Sequence, residues 1–213
     1  MLRFSLFGIP IVVQPWFWAT LAFLGGALDI GKPGVSVLNI ILFVLAAFIS
    51  VLVHELGHAL TGKAFGAYPS IVLQAFGGYA TFGGKHFSRG QDLLVTAAGP
   101  AIQIVLGAIF YGISRFFPPP TPALHSFVWA LIIVSIVWAI INLLPVLPLD
   151  GGRLMAALLG PSRQILTHKI SIGVALAAAL GLLVASNFSS FLFPIFLLMM
   201  AHQNWQALQY YRR

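Results

Sequence analysis

From Val37 to Gly62 the chain runs through a membrane-length apolar stretch whose one charged residue, Glu55, stands between His54 and His58. Lipid offers backbone N–H and C=O groups no partner, so such a segment crosses a bilayer as a helix. On that helix His54 and His58, at i and i+4, lie about 40° apart around the axis and roughly 6 Å along it, so both imidazoles can reach one metal ion. Glu55 falls on the flank of the same face. Unpaired, these groups would carry a large desolvation cost in hydrocarbon, which marks the His-Glu-x-x-His cluster as a candidate functional site.

The remainder of the chain supports a membrane setting. Of its 213 residues 60% are hydrophobic and 7% charged, with a mean hydropathy of +0.99, too apolar for a soluble domain of this size. Apolar stretches near 16–30, 37–62, 92–114, 127–144, 170–186 and 189–208 predict about six transmembrane helices. The expected fold is an all-α polytopic membrane protein, one domain over residues 1–213, with a small β-sheet or hairpin near the cytoplasmic face. The fourth stretch ends at Pro145 and Pro148 with Asn142 in its last turn, so non-helical backbone at membrane depth is expected to follow. Two apolar runs, 71–76 and 79–82, flank Gly77-Gly78 and read as a hairpin; the stretch 3–13 is also strand-like, ordinary loop being the alternative for both. Gly57, Gly62 and Gly66 are read as small residues on the second span that admit a neighbouring helix.

The net charge of +7 does not indicate nucleic acid, because the basic residues are scattered between apolar runs. With six spans, Arg3, Lys63, Lys85, Arg89, Arg153, Arg163, Lys169, Arg212 and Arg213 share one side, against Lys32 and Arg115. That asymmetry places both termini, and the end of the second span that carries the histidines, toward the cytoplasm. Trp205, Tyr210, Tyr211, Arg212 and Arg213 read as an interfacial anchor, and Gln203, Asn204 and Gln206 as a polar interfacial end. Gly8, Pro10 and Pro15 interrupt the N-terminal region, so no cleaved signal peptide is expected.

There is no cysteine, so a metal would have to be held by nitrogen and oxygen. A catalytic zinc usually takes three protein ligands and leaves one position open, so the two histidines need a partner. Asp29 and Asp92 are read as interfacial or locally paired acids, the latter beside Arg89. Asp150 follows two prolines and precedes Gly151-Gly152; alone it could be a surface turn, but beside the histidines it is the expected third ligand. In the expected site His54, His58 and Asp150 hold one zinc ion, and Glu55 is the general base rather than a ligand. Asn142 either donates its amide to the developing oxyanion or the substrate backbone, or caps the broken helix end. His86, His125, His168 and His202 are read as interfacial or packing residues.

The His-Glu-x-x-His of residues 54–58, the Asn-x-x-Pro-x-x-Pro-x-Asp-Gly from Asn142 to Gly151, and the Ala97-Ala98-Gly99-Pro100 of the third span together resemble the site-2 protease family of intramembrane zinc metalloproteases. The resemblance runs from Phe7-Gly8-Ile9-Pro10 through Arg153. It implies a zinc metalloendopeptidase that cleaves transmembrane segments of protein substrates within the bilayer. It also implies that an unwound substrate adds to an edge strand, which makes Gly77, Gly78 and Tyr79 candidate substrate-binding residues. Many relatives carry an Asn three residues after the Gly-Pro; this chain has Gln103 there, which is left out of the expected site. A minimal core without PDZ or CBS domains is expected. The alternatives are a catalytically silent membrane protein of the same fold that binds transmembrane clients, a non-haem iron site, and a metal transporter.

Overall fold

The computed structural model describes residues 1–32, 35–187 and 191–211, so Arg212 and Arg213 of the expected anchor lie outside the described residues. The chain divides into two compact units, Met1–Ala139 and Ile140–Arg213.

The first unit opens with a hairpin of β1 (Leu2–Leu6) and β2 (Ile9–Val13). Its two-residue turn, Phe7-Gly8, has positive φ at both positions, the geometry that matches the twist of paired strands. A ten-residue helix α1 (Pro15–Leu24) and a short 3-10 turn lead to the 28-residue α2 (Val37–Ala64). The second hairpin follows, β3 (Tyr68–Gln74) and β4 (Gly77–Gly83), then α3 (Arg89–Phe116) and α4 (Pro122–Asn142), whose end enters the second unit. The sheet has the order β1-β2-β3-β4, with β2 and β3 parallel and the other pairs antiparallel.

Alternation fixes which face of the sheet is inward. Ile9, Ile11 and Val13 of β2 and Ile71 and Leu73 of β3 are buried, and they pack with Phe17 and Leu21 of α1 and Ala47, Val51, Leu52, Leu56 and Ala59 of α2. One face of the sheet therefore lies along the helix that carries the histidines. Both expected strand regions are present, but the second turn differs from expectation. It is formed by Ala75-Phe76, whereas Gly77 and Gly78 belong to β4, paired with Gln74 and Leu73.

Glycine sets how closely α2 is approached. A Cβ at residue 57 would stand 2.6 Å from the Ala98 carbonyl oxygen of α3, so only glycine permits this α2–α3 crossing. Gly62 meets a ring instead of a helix, since its Cβ would lie 2.3 Å from Phe82 of β4. Gly66 is not on the helix: it lies past the α2 end at φ +87, where its N–H closes the last turn on the Lys63 carbonyl. Ser88 and Gln91 form a capping box at the start of α3.

The second unit contains α5 (Asp150–Leu159), a 3-10 turn (Pro161–Arg163), α6 (Gln164–Ala185) and α7 (Leu192–Tyr210). Val146, Ala175, Met200 and Ala201 form its buried centre.

Four helical segments have the length and apolarity to cross a membrane: Val37–Ala64, Arg89–Phe116, Pro122–Asn142 and Pro161–Ala185. At most a third of the apolar window of each is buried inside the protein, so most of that apolar surface faces outward, which suits lipid and not water. Among the described residues, four of the six expected spans meet this measure. The helical part of the first stretch stops at Leu24, before Gly25-Gly26, and α7 is made too polar by His202, Gln203, Asn204 and Gln206. The protein is an integral membrane protein built on these apolar helices.

Replacing Gly57 with Val should lower the stability of the purified protein by about 1–3 kcal/mol through overpacking against α3. Gly112→Ala, on α3 and with nothing within 4 Å of the added Cβ, should be neutral or stabilising by up to about 1 kcal/mol. Thermal unfolding in detergent, comparing the two, checks both signs.

Candidate metal centre

His54 and His58 are buried on successive turns of α2, and their rings meet edge to face with centroids 4.8 Å apart. Each Nδ1 is engaged away from the other ring. His58 Nδ1 lies 2.7 Å from the Val95 carbonyl oxygen, which can only accept, so this nitrogen carries the hydrogen. His54 Nδ1 lies 2.9 Å from Gln103 Oε1, also an acceptor. In each ring Nε2 is then the nitrogen that carries the lone pair, and the two lie 3.1 Å apart. Two imidazole nitrogens that converge in a buried site are a donor pair that suits a divalent metal.

Space for the pair comes from α3. A Cβ at residue 99 would stand 2.3 Å from His58 Nε2, so Gly99 makes room for the ring. The α2 residues Ser50, His54 and His58 and the α3 residues Val95, Gly99 and Gln103 form two facing stripes at four-residue spacing. Gln103, omitted from the sequence expectation, is fully buried, and its Nε2 donates to Ser50 Oγ at 2.9 Å. Ser50 Oγ in turn is 2.9 Å from Ser135 Oγ of α4. The four-residue periodicity of the polar Ser50, His54 and His58 on α2 was the available signal; on α3 Gln103 is the one polar residue of its stripe.

Glu55, also buried, is turned toward the sheet. A Cβ at residue 78 would lie 2.8 Å from Glu55 Cγ, 2.9 Å from Glu55 Oε1 and 2.6 Å from Leu73 Cδ2. This explains the displaced turn: a glycine is needed within β4, where the strand crosses the carboxylate, more than it is needed at the loop. Gly77 is 3.6 Å, measured from its would-be Cβ, from the Trp138 ring, and Tyr79 is partly exposed.

Asp150 is the first residue of α5 and is buried. The segment before it, Leu143–Leu149, is a tight turn, with Val146 N–H donating to the Leu144 carbonyl and Leu149 N–H to the Val146 carbonyl. Gly151 and Gly152 let α5 start directly against this turn; their Cβ atoms would stand 2.1 Å from the Leu143 carbonyl oxygen and 2.4 Å from Leu147 N. The turn is also held from α6 and α7. Leu147 N–H donates to Ser171 Oγ at 3.1 Å, and Asn204 Nδ2 donates to the Leu147 carbonyl at 2.7 Å and the Met200 carbonyl at 2.9 Å. His168 Nδ1 is 2.8 Å from Asn204 Oδ1. Asn204 is therefore a buried clamp on the Asp150 segment rather than part of a polar interfacial end, and His168 supports it. Asn142 is the last residue of α4 and half-buried.

Among the described residues, one group of three potential metal ligands comes together: a donor atom from each of His54, His58 and Asp150, all buried and all within 4.8 Å of one another. Two imidazoles and a carboxylate are a donor set for zinc, and the other acids are occupied elsewhere. Asp29 pairs with Lys32 at 2.6 Å on the surface, and Asp92 lies in the first turn of α3, where the helix dipole favours a carboxylate. His202 makes an exposed bond to Gln206 at 2.9 Å.

Residues 42–122 and 120–185 match the profile of peptidase family M50. The chain is 36% identical over 163 residues to the provisionally named zinc metalloprotease sll0528 of Synechocystis sp., covering 72% of this chain and 42% of that protein. It is 28% identical over 183 residues to the zinc metalloprotease MJ0392 of Methanocaldococcus jannaschii, covering 85% and 52%. The chain thus spans about half the length, or less, of these curated relatives. Among solved structures it is similar to the site-2 protease from M. jannaschii, at a TM-score of 0.68 and 25% identity, covering 95% of this chain and 94% of that one. A buried His-His-carboxylate group and a family match over most of its length identify this chain as a member of peptidase family M50.

Proposed function

We infer that the protein is an intramembrane zinc metalloprotease that hydrolyses peptide bonds within or near transmembrane segments of membrane-protein substrates. The observation that carries this reading is the convergence of His54, His58 and Asp150 next to a buried glutamate on the same helix turn. His54 and His58 would each offer Nε2 and Asp150 a carboxylate oxygen to one zinc ion, so that both units serve a single catalytic domain. When bound, zinc supplies Lewis acidity toward water and toward the scissile carbonyl. Glu55 accepts the proton of the attacking water and returns it to the leaving amine nitrogen. Asn142 donates its amide N–H to the developing oxyanion or to the substrate backbone. Presence of Glu55 beside the histidine pair favours an enzyme over a silent protein that only binds clients.

β4 is the candidate substrate platform. It is an edge strand, and with a two-residue turn the Gln74–Gly77 pair is hydrogen-bonded, so by alternation the N–H and C=O groups of Gly78, Ala80 and Phe82 point away from β3. An extended substrate added there would run past Gly78, the position closest to Glu55. A transmembrane helix keeps its peptide bonds in intrahelical hydrogen bonds, so unwinding must precede cleavage and the edge strand gives the freed groups new partners. In this reading α1 and α7 complete about six spans, and both termini and the active site face the cytoplasm, as the basic residues indicate. Regulated intramembrane proteolysis of a membrane-tethered signalling protein is the corresponding physiological role.

Zinc content and cleavage of a labelled single-span substrate by the purified protein test the reading together. Glu55→Gln should keep zinc and lose cleavage by about 10²–10⁴-fold; normal cleavage by this variant would contradict the assigned role. Asp150→Ala should lose zinc affinity. Gly99→Ala should also lose zinc, because its methyl group occupies the position of the His58 ring, and retention of full affinity would mean that the ring is not held there. Ala80→Pro removes an outward N–H without touching the β3 ladder, so cleavage should fall while zinc content is unchanged; unaltered cleavage would remove β4 from substrate binding.

A further inference from the structure

We propose that Gln103 is a positioning residue for the metal, which holds His54 in the tautomer that offers Nε2, and that Ser50 fixes the amide orientation in which Gln103 does so. This deepens the metalloprotease reading and rests on it.

The two histidines are held by different kinds of acceptor. His58 Nδ1 faces a backbone carbonyl, that of Val95, which has no donating alternative. His54 Nδ1 faces a side-chain amide, which has an accepting end and a donating end. Were the amide reversed, its NH2 would force His54 Nδ1 to accept, and the ring proton would move to Nε2, where it would block a metal. The tautomer of His54 therefore depends on whatever fixes the amide.

Ser50 fixes it. Gln103 Nε2 lies 2.9 Å from Ser50 Oγ and 3.5 Å from the Ser50 carbonyl oxygen. The carbonyl can only accept, so the NH2 end belongs at Ser50 and Oε1 at His54. Ser50 Oγ accepts from Gln103 and shares a second hydrogen bond with Ser135 Oγ, 2.9 Å away, in which either hydroxyl can be the donor. The result is a one-way sequence of donors from His54 through Gln103 to Ser50, with Ser135 bonded to the same Ser50 hydroxyl. Gln103, Ser50 and Ser135 are all 0% exposed. With no solvent to supply other partners, reversing the Gln103 amide would set its oxygen against the Ser50 carbonyl and leave buried groups unmet, so the amide and the His54 tautomer are fixed together.

Chelator competition on purified wild type, Gln103→Met, Gln103→Glu and Ser50→Ala tests this, with thermal unfolding to report the fold. Gln103→Met conserves volume but supplies no comparable acceptor, and zinc affinity should fall by about 10–100-fold. Gln103→Glu keeps the acceptor and should recover most of that loss; Ser50→Ala should show a smaller loss than Gln103→Met. Wild-type zinc affinity in Gln103→Met, or a Glu variant no better than the Met variant, would overturn the proposal while leaving the metal site standing. A wild type that binds no zinc would overturn the metalloprotease reading and this proposal with it. Should the Gln103 variants fail to fold, nitrogen-15 spectra of histidine in the zinc-loaded wild type decide the matter. A protonated Nδ1 and metal-bound Nε2 on His54 are expected, and a metal-bound Nδ1 would overturn the assignment.

Discussion

Two imidazole nitrogens that face each other at 3.1 Å, each ring having its other nitrogen committed to an acceptor, set the terms for the rest of this structure. Brought together in a buried apolar setting, such a pair is a donor set that suits a metal cation. Much of the first unit can be understood as the apparatus that holds this arrangement. α3 supplies the two acceptors and a glycine-lined track for the rings, α4 supplies Ser135, and the sheet lies along α2 with β4 over Glu55. The second unit has a parallel task. Ser171 and Asn204 grip the backbone of Leu147, so the turn that delivers Asp150 to the start of α5 is braced from two helices.

Glycine appears wherever one element must come unusually near another. Gly57 admits the backbone of α3, Gly99 the His58 ring, Gly78 the Glu55 side chain, and Gly151 and Gly152 the turn before α5. These positions carry the fold and the site together, because the close approach that packs the helices is also what puts the acceptors within hydrogen-bonding reach of the histidines. Membrane helices gain little from hydrophobic segregation among themselves, so close packing and buried hydrogen bonds must supply the association.

Much of this was legible in the sequence. The isolated glutamate between two histidines in an apolar run, and the only aspartate flanked by paired prolines and glycines, pointed to the three donors that come together and to the buried Glu55 beside them, and alternation at 3–13 and 71–82 identified the strands. What was misread depended on tertiary register. Gly77-Gly78 has the composition of a turn, yet its place in β4 is set by Glu55, a residue in a different element. Gln103 and Asn204 look like ordinary polar residues until α3 is set against α2 and α7 against the Leu143–Leu149 turn. Four of the six expected spans stand out by length and apolarity, whereas α1 ends before Gly25-Gly26 and α7 carries polar residues that lower its mean hydropathy.

The central claim is that one metal ion is held by two imidazoles and one carboxylate. X-ray absorption at the zinc edge on the protein reconstituted in lipid addresses it directly. One zinc per chain, with a first shell of nitrogen and oxygen that contains two imidazole scattering patterns, is the expected result. Protein free of zinc after loading, or a shell with a single imidazole, would contradict the account at its base.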